Sequence, residues 1–218
     1  LSLRANLGTG LIPSIFGLES IVFEDKMPWV QRHLSKEDIV NFEFPKDFKR
    51  RGLIPMALEY IRYFKEKPGR KAHVYLSDTQ GPFDIAHLIR GEDIFTDVYD
   101  APEFVHHLME LSTKAYIEIT KVLKESICEE FNIGYHGQMY MENGGVRICE
   151  DSATLLSHSL VKEFVIPYTK KALEPFGGGW IHYCGNGNHI LDLFLELEEV
   201  KGINFGNPEM HDYEEVMN

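Results

Sequence analysis

Residues 179–187 read GWIHYCGNG, an apolar run that carries a histidine and a cysteine two positions apart and then breaks on glycine. In a β-strand, successive side chains point to opposite faces, so His182 and Cys184 share one face while Ile181 and Tyr183 occupy the other. An imidazole nitrogen and a thiolate sulfur together favour zinc over magnesium or calcium. The glycines predict a turn at a strand end, where α/β proteins open their pockets. The stretch therefore predicts half of a soft-metal site.

Short apolar runs alternate with long amphipathic runs along the chain, as in proteins that join parallel strands by helices. The predicted strands cover residues 20–23, 72–77, 145–149, 179–184 and 200–205, and the predicted helices cover 55–65, 101–125, 157–173 and 188–198. This pattern fits either an open doubly wound sheet or part of an eight-stranded barrel, because a complete barrel usually takes roughly 250 residues.

Two local features add detail to this pattern. Pro167 lies inside the third predicted helix, where a proline removes a backbone hydrogen bond, so we expect a kink or a break there. Residues 134–141 alternate like one arm of a hairpin, and the glycine-rich segment 143–145 predicts the turn at the end of that arm.

The composition limits the class of protein. The chain has 218 residues, 44% of them hydrophobic, which is enough for one domain with its own core over residues 1–218. A net charge of −12 disfavours partners such as nucleic acid or an anionic membrane surface. Cys128, Cys149 and Cys184 form no disulfide pattern, which indicates a reducing compartment. No stretch reaches the ~18 apolar residues of a spanning helix, so we expect a cytoplasmic protein.

Polar residues gather where the predicted strands end, and the carboxyl ends of parallel strands form the working face in both candidate architectures. We therefore expect one pocket to collect Asp78, Glu150, Asp151, His182, Cys184, Asn204 and Asn207, and the extended, glycine-flanked His136 is a further candidate for it. Structural alternatives remain open, because Asp78, Asp151 and Asn207 also suit caps and turns, and a His-x-Cys pair also suits a packed histidine beside a buried thiol. Cys149 is either a third sulfur ligand or, more simply, a core residue.

Three segments in this order resemble the uroporphyrinogen decarboxylase superfamily: QGPFDIA with RGE at 80–92, YDAPEFV at 99–105, and ICEDS with LS and FVIPY at 148–168. The resemblance extends from about residue 10 to residue 208. It implies a (β/α)8 barrel of the TIM type, with its pocket at the carboxyl ends of the strands. Because outer strands are then missing, we expect an incomplete barrel and a fragment of a longer protein.

The HYCG sequence at 182–185 resembles the zinc motif of the methyltransferase branch of this superfamily. That resemblance implies His182 and Cys184 as zinc ligands, with a further cysteine ligand expected beyond residue 218. It implies a corrinoid such as cobalamin as methyl carrier, and partners that are a corrinoid protein or free corrinoid and a small thiol. Glu150 and Asp151 become candidate catalytic residues, and we expect one of them to complete the zinc site or to orient one of its ligands. The other polar residues, Asp78, His136, Asn186 and Asn204, become candidate substrate contacts.

Two alternatives come with the same resemblance. One is a carboxy-lyase of the uroporphyrinogen decarboxylase type, which holds the carboxylates of a porphyrin precursor with arginines. Against it, no arginine-rich segment is recognisable, residues 8–17 lack the expected aspartate, and only Arg4, Arg90 and Arg147 are available. The other is a non-catalytic barrel that binds a corrinoid or a porphyrin.

Overall fold

The computed structural model describes residues 2–21, 24–25, 28–67, 72–212, 214 and 216. In chain order the strands are β1 (Ser2–Leu3), β2 (Ser20–Ile21), β3 (Trp29–Val30), β4 (His73–Val74), β5 (Thr79–Gln80), β6 (Gly134–His136), β7 (Met139–Met141), β8 (Val146–Cys149), β9 (Gly179–Tyr183) and β10 (Val200–Phe205). The α-helices are α1 (Lys36–Val40), α2 (Ile54–Glu66), α3 (Pro82–Arg90), α4 (Ile94–Asp100), α5 (Pro102–Ile127), α6 (His158–Phe164), α7 (Ile166–Leu173) and α8 (Leu191–Leu195).

The wall of the fold is a parallel sheet in the order β5, β8, β9, β10, and a second parallel pair joins β1 to β4. Helices connect successive strands of the sheet, which is the pattern of a TIM-type barrel wall. The predicted strands 145–149, 179–184 and 200–205 are confirmed. Within the described residues these strands form part of a wall and not a closed ring of eight, as the prediction of an incomplete barrel requires.

The register across β8, β9 and β10 brings three polar positions into line. Cys149 pairs with His182, and His182 pairs with Asn204, so the three side chains lie on the same face of the sheet. The β10 strand contains a register shift between Val200 and Gly202, which makes Lys201 an extra residue opposite the regular β9 strand.

Alternation along β9 separates the core from the barrel interior. Ile181 and Tyr183 are fully buried against the covering helices, whereas Trp180 and His182 are only partly buried on the opposite face. This arrangement confirms the two-faced strand that the sequence predicts. The core beneath the helices also contains Phe83, Tyr116, Phe176 and Phe194.

Three predicted elements differ from the structure. Within the predicted strand 72–77 only His73–Val74 (β4) is a strand, and it pairs with β1, whereas the strand that joins the main sheet, β5, begins at Thr79. The segment 20–23 lies partly outside the described residues, and its described part, β2, pairs antiparallel with β3. The hairpin has both of its arms within 134–141, because Gly137 takes a positive φ of 64° and makes the turn there.

The helical layer follows the sequence prediction more closely. Ser157 caps α6 by accepting a hydrogen bond from the Leu160 N–H, and α6 ends at Phe164. The next helix, α7, begins at Ile166 with Pro167 in its first turn, where a missing N–H costs nothing. The expected break at Pro167 is therefore confirmed. Among the described residues, no helix combines the length and the apolar character that crossing a bilayer requires.

Candidate metal centre

Three ligand-type side chains meet at the carboxyl ends of β8 and β9. His182 lies near the end of β9, Cys184 follows that strand, and Asp151 follows β8. One ligand atom from each lies within 4.8 Å of the others. His182 Nε2 is 3.4 Å from Cys184 Sγ and 4.0 Å from Asp151 Oδ1. The structure thus joins His182 and Cys184, as the sequence predicts, and adds Asp151 to them.

The spacing of these atoms fits a small soft cation. Zinc bonds of about 2.1 Å to nitrogen and about 2.3 Å to sulfur, at a tetrahedral angle, put the two ligand atoms about 3.6 Å apart. The observed 3.4 Å between His182 Nε2 and Cys184 Sγ is close to that value. Gly206 of the neighbouring segment keeps the space beside them open, because a Cβ there would lie 2.5 Å from Cys184 Sγ.

Hydrogen bonds donated by backbone N–H groups hold the two strand ends together. Asp151 Oδ1 accepts a hydrogen bond of 2.6 Å from the Cys184 N–H, and the Glu150 N–H donates to the His182 carbonyl oxygen at 2.8 Å. Gly185 then turns the chain away with a φ of 83°, and its N–H donates to Asn207 Oδ1 at 2.9 Å. The β8 and β9 ends therefore form one rigid corner that carries all three candidate ligands.

The interior side of His182 contacts polar residues. Its Nδ1 lies 2.9 Å from Asn204 Oδ1, and Arg147 Nε and Nη2 lie 3.2 and 3.1 Å from the same oxygen. Arg147 also donates to Asp78 Oδ1 at 3.3 Å, and Arg4 binds the other oxygen of that carboxylate at 3.0 Å. A continuous polar chain therefore runs from Arg4 to His182.

Burial and charge set the protonation of the candidate ligands. Burial, reinforced by the Arg147 charge, lowers the pKa of His182, so the imidazole is neutral and can offer a lone pair to a metal. Burial, followed by the Asp151 charge, raises the pKa of the Cys184 thiol. A cation beside that sulfur acts in the opposite sense, since it favours the thiolate.

A buried pair of carboxyl groups lies directly behind the metal-type group of His182, Cys184 and Asp151. Asp84 accepts hydrogen bonds from the Asp151 N–H at 3.0 Å and the Ser152 N–H at 2.7 Å, so it holds the turn that presents Asp151. Burial, followed by the Asp151 charge, raises the pKa of Asp84 to about 7. Burial and the neighbouring Asp84 raise the pKa of Glu150 well above its usual range.

Glu150 does not join the metal-type group. Its side chain is fully buried and accepts a hydrogen bond from Thr169 Oγ1 at 3.2 Å. Gly81 provides the room, because a Cβ there would lie 2.2 Å from Glu150 Oε1. The catalytic roles assigned to Glu150 and Asp151 from the sequence stay predictions, although only Asp151 stands beside the candidate ligands.

The predicted substrate contacts occupy three different environments. Asp78 and His136 line a small interior cavity together with Arg147, below the metal-type group. Asn204 contacts His182 directly, as described above. Asn186 is exposed, and its Oδ1 accepts a hydrogen bond from the Asn188 N–H at 3.1 Å, so it shapes its own turn. Their assignment as substrate contacts stays a prediction.

Sequence reasoning named Arg147 only as an arginine for a tetrapyrrole, and it gave no role to Asp84, although both residues shape this site. Arg147 lies two positions before Cys149, so strand alternation places both on the interior face, where Arg147 Nη1 is 3.4 Å from Cys149 Sγ. Cys149 is buried, in keeping with a core role. Asp84 lies within a motif quoted for the family resemblance, but its contact with Asp151 spans 67 positions. Nothing local to the sequence indicates that contact.

A parallel barrel wall with a metal-type group at the carboxyl ends of its strands defines a TIM-barrel protein whose pocket lies at that face. A sequence model of the uroporphyrinogen decarboxylase (URO-D) family matches residues 9–215. The chain therefore belongs to the uroporphyrinogen decarboxylase family. This confirms the resemblance and the fold class expected from the sequence.

Individual relatives are methyltransferases by name. Methylcobamide:CoM methyltransferase MtbA of Methanosarcina acetivorans is 25% identical over 187 residues, which cover 82% of this chain and 49% of that protein. The protein of the same name from Methanosarcina mazei is 25% identical over 150 residues, covering 65% of this chain and 39% of that protein. The chain thus spans about half, or less, of the length of these curated relatives.

A solved structure supports the fold assignment. A methyltransferase from Methanosarcina mazei superposes on this chain with a TM-score of 0.76 at 19% sequence identity. The superposition covers 93% of this chain and 56% of the other. At this identity the likeness shows the fold, and the (β/α)8-type architecture expected from the sequence is confirmed.

Proposed function

We propose that this protein is a zinc-dependent methyltransferase that moves a methyl group between a corrinoid and a small thiol. The observation that carries the proposal is the close approach of His182, Cys184 and Asp151 at the carboxyl ends of two barrel strands. Two relatives named methylcobamide:CoM methyltransferase support the same reaction class. The further cysteine ligand beyond residue 218 stays a prediction.

His182 and Cys184 hold the zinc in this proposal, and Asp151 offers a carboxylate beside them. When bound, zinc supplies a Lewis acid that stabilises a thiol substrate as its thiolate near neutral pH. Asp151 keeps the Cys184 backbone in place, because its Oδ1 accepts a 2.6 Å hydrogen bond from the Cys184 N–H. The side chain of Asp151 is 43% exposed, so an incoming thiol meets a carboxylate that can take up its proton.

The surroundings of the arginines argue against the decarboxylase alternative. A tetrapyrrole with several carboxylates needs free guanidinium groups. Arg4 and Arg147 both bind Asp78, and Arg90 binds Asp97 and Asp93. Each candidate arginine is therefore already bonded to a carboxylate of the protein itself, with Arg4 and Arg147 sharing one, and this favours methyl transfer over the decarboxylase alternative.

The partners follow from the reaction and the surface. The methyl carrier is a free corrinoid or a corrinoid protein, and the acceptor is a small thiol that can reach the exposed Cys184. The net charge of −12 disfavours nucleic acid and anionic membrane as partners. A cytoplasmic location is part of the proposal and follows from the cysteines that form no disulfide pattern.

The test combines metal analysis with an activity assay on the purified protein. We expect about one zinc per chain by elemental analysis, and transfer of the methyl group of methylcobalamin to a small thiol such as coenzyme M. His182→Ala and Cys184→Ala should lose both properties. Cys128→Ala is the matched control, since this exposed cysteine lies at the end of α5 and beside Lys65.

Two outcomes contradict the proposal. One is a zinc-free protein that converts uroporphyrinogen, which would establish the decarboxylase alternative. The other is zinc binding that survives in both His182→Ala and Cys184→Ala, because the metal would then sit elsewhere. Circular dichroism of each variant shows whether a loss of zinc reflects a loss of fold.

A further inference from the structure

Two residues that are not part of the candidate ligand group fix the orientation of the His182 ring. Asn204 Oδ1 lies 2.9 Å from His182 Nδ1, and Arg147 approaches the same Asn204 atom with Nε at 3.2 Å and Nη2 at 3.1 Å. A guanidinium group has only hydrogen-bond donors. The Asn204 atom that it contacts must therefore be the carbonyl oxygen, and the amide nitrogen must point away.

The chemistry of that oxygen determines the tautomer of His182. A carbonyl oxygen can only accept, so His182 Nδ1 must carry the hydrogen of the 2.9 Å contact. A neutral imidazole has one N–H, so Nε2 then keeps its lone pair. Nε2 is the nitrogen that lies 3.4 Å from Cys184 Sγ and faces Asp151.

Arg147 is itself held in place. Its side chain is only 8% exposed, and it donates to Asp78, which in turn binds Arg4. The guanidinium therefore cannot turn away from Asn204 without leaving Asp78 short of a partner. The amide orientation of Asn204 follows from this fixed arginine and not from the histidine alone.

We propose that Asn204 and Arg147 are positioning residues that keep His182 in the Nδ1–H tautomer and so present Nε2 to the metal. The inference rests on the proposed function and deepens it, because it names what prepares the ligand before any metal arrives. It also gives Asn204 a role different from the substrate contact expected from the sequence. Hydrogen-bond partners of this kind orient a ligand ring and raise its basicity.

The first experiment reads the tautomer in metal-free protein. Nitrogen-15 NMR of the histidine-labelled chain distinguishes Nδ1–H from Nε2–H, and His182→Gln identifies the His182 signals among the ten histidines. We expect the Nδ1–H form in the wild-type protein. We expect Asn204→Ala and Arg147→Met to show a mixture or the Nε2–H form, and Asn204→Asp, which keeps an acceptor oxygen, to restore Nδ1–H.

The second experiment measures zinc affinity by competition with a chelator. We expect Asn204→Ala to bind zinc about 10-fold to 100-fold more weakly, as for other hydrogen-bond partners of metal ligands. Asn204→Asp should stay close to wild type. Asn41→Ala removes an exposed asparagine at the end of α1 and serves as the control for unrelated loss of an amide.

The two experiments separate this inference from the proposed function. An Nε2–H ring in the metal-free wild-type protein overturns the inference, and so does an unchanged tautomer in Asn204→Ala. Either result leaves zinc binding by the wild-type protein intact as support for the function. A tautomer that shifts as expected supports the inference even where the wild-type protein binds no zinc, and that absence alone would count against the function.

Discussion

Buried ionisable side chains lie at both ends of β8, but within the described residues only at the amino end is an acid paired with a base. Before the strand, Lys124 is fully buried and gives its ammonium hydrogens to the Glu129 carboxylate and to the carbonyl oxygens of Ile133 and Gly145. After the strand, Glu150 and Asp84 are both buried, with no lysine or arginine bonded to either in the described part of the chain. Burial raises the pKa of both carboxyls, and the Asp151 charge adds to the shift of Asp84 while the Asp84 charge adds to that of Glu150.

This difference distinguishes the end of β8 that stabilises the fold from the end that carries the candidate ligands. At the amino end of the strand the buried Lys124 ammonium neutralises the Glu129 carboxylate. Among the residues that the structure describes, the carboxyl end has buried acids without a base: burial raises the pKa of Asp84 and of Glu150 and so disfavours their charged forms, and a cation held by His182, Cys184 and Asp151 would offset that cost. The contrast agrees with the general division of TIM-type barrels into a stabilising face and a working face.

The largest expected effect comes from removing the buried base at the amino end of β8. Lys124→Met leaves Glu129 buried without its cation, so the unfolding free energy should fall by about 3–5 kcal/mol. Lys121→Met on the same helix is the control, because Lys121 is 37% exposed and only approaches Glu118. Chemical denaturation gives both values. An equal, small effect of the two substitutions would show that the buried pair adds little.

The next effect concerns the acidic end and its response to pH. The pKa of Asp84 is raised to about 7 in the folded chain, against about 4 when unfolded, so the unfolded state loses its proton first as the pH rises. The unfolding free energy should therefore fall between pH 4 and 7, by about 4 kcal/mol from this group, and level off above.

Asp84→Asn tests this pH dependence, because it removes the titration but keeps one acceptor oxygen. Its stability curve over the same pH range should be flatter than that of the wild-type protein. Asp47→Asn is the control, since Asp47 is 54% exposed. Parallel curves for wild type and Asp84→Asn would contradict the prediction. Denaturation at a series of pH values supplies the comparison.

A smaller effect is expected from crowding the candidate ligands at the carboxyl end of the sheet. Gly206→Ala places a Cβ 2.5 Å from Cys184 Sγ and 3.0 Å from His182 Cε1, so the two ligands must separate. Overpacking of this kind costs about 1–3 kcal/mol, and where this cost falls on the metal-bound arrangement the zinc affinity is about 5-fold to 150-fold below wild type. Gly144→Ala is the control, because its Cβ has no neighbour closer than 3.4 Å. Similar zinc affinities for both variants would mean that the ligand pair tolerates the methyl group.

The smallest expected effect returns to the amino end. Cys128 ends α5 with a φ of 62°, a conformation that glycine adopts with less strain. Cys128→Gly should raise the unfolding free energy by up to about 1 kcal/mol and leave zinc binding unchanged. A fall in zinc content in this variant would show that the two ends are coupled. Thermal denaturation and metal analysis decide the point.

Much of this molecule follows from local sequence. Alternation along 179–184 predicts the strand and the shared face of His182 and Cys184, and the ordered motifs indicate the family. The sequence predicts the hairpin turn at 143–145, whereas the structure has it at Gly137, because both segments carry glycine and only the pairing of β6 with β7 decides between them.

The supporting shell of the site does not follow from local sequence. Asp84 reaches Asp151 across 67 positions, and Arg147 reaches Asn204 across 57. Such contacts depend on which strands become neighbours and in what register. Asp151 was one of two equivalent acids in the sequence, and only the burial of Glu150 in the structure distinguishes them.

The extra residue in β10 decides which side chain meets the ligand ring. Lys201 is the added residue of a bulge, and the pairing beyond it puts Asn204 opposite His182. Regular pairing from Val200 without the bulge would put Ile203 in that place, and the His182 ring would lose the acceptor of its Nδ1 contact without any change to a ligand. Loss of Lys201 itself would straighten the strand and leave Asn204 in place, whereas loss of a residue between Gly202 and Asn204 would turn Asn204 to the other face of the sheet.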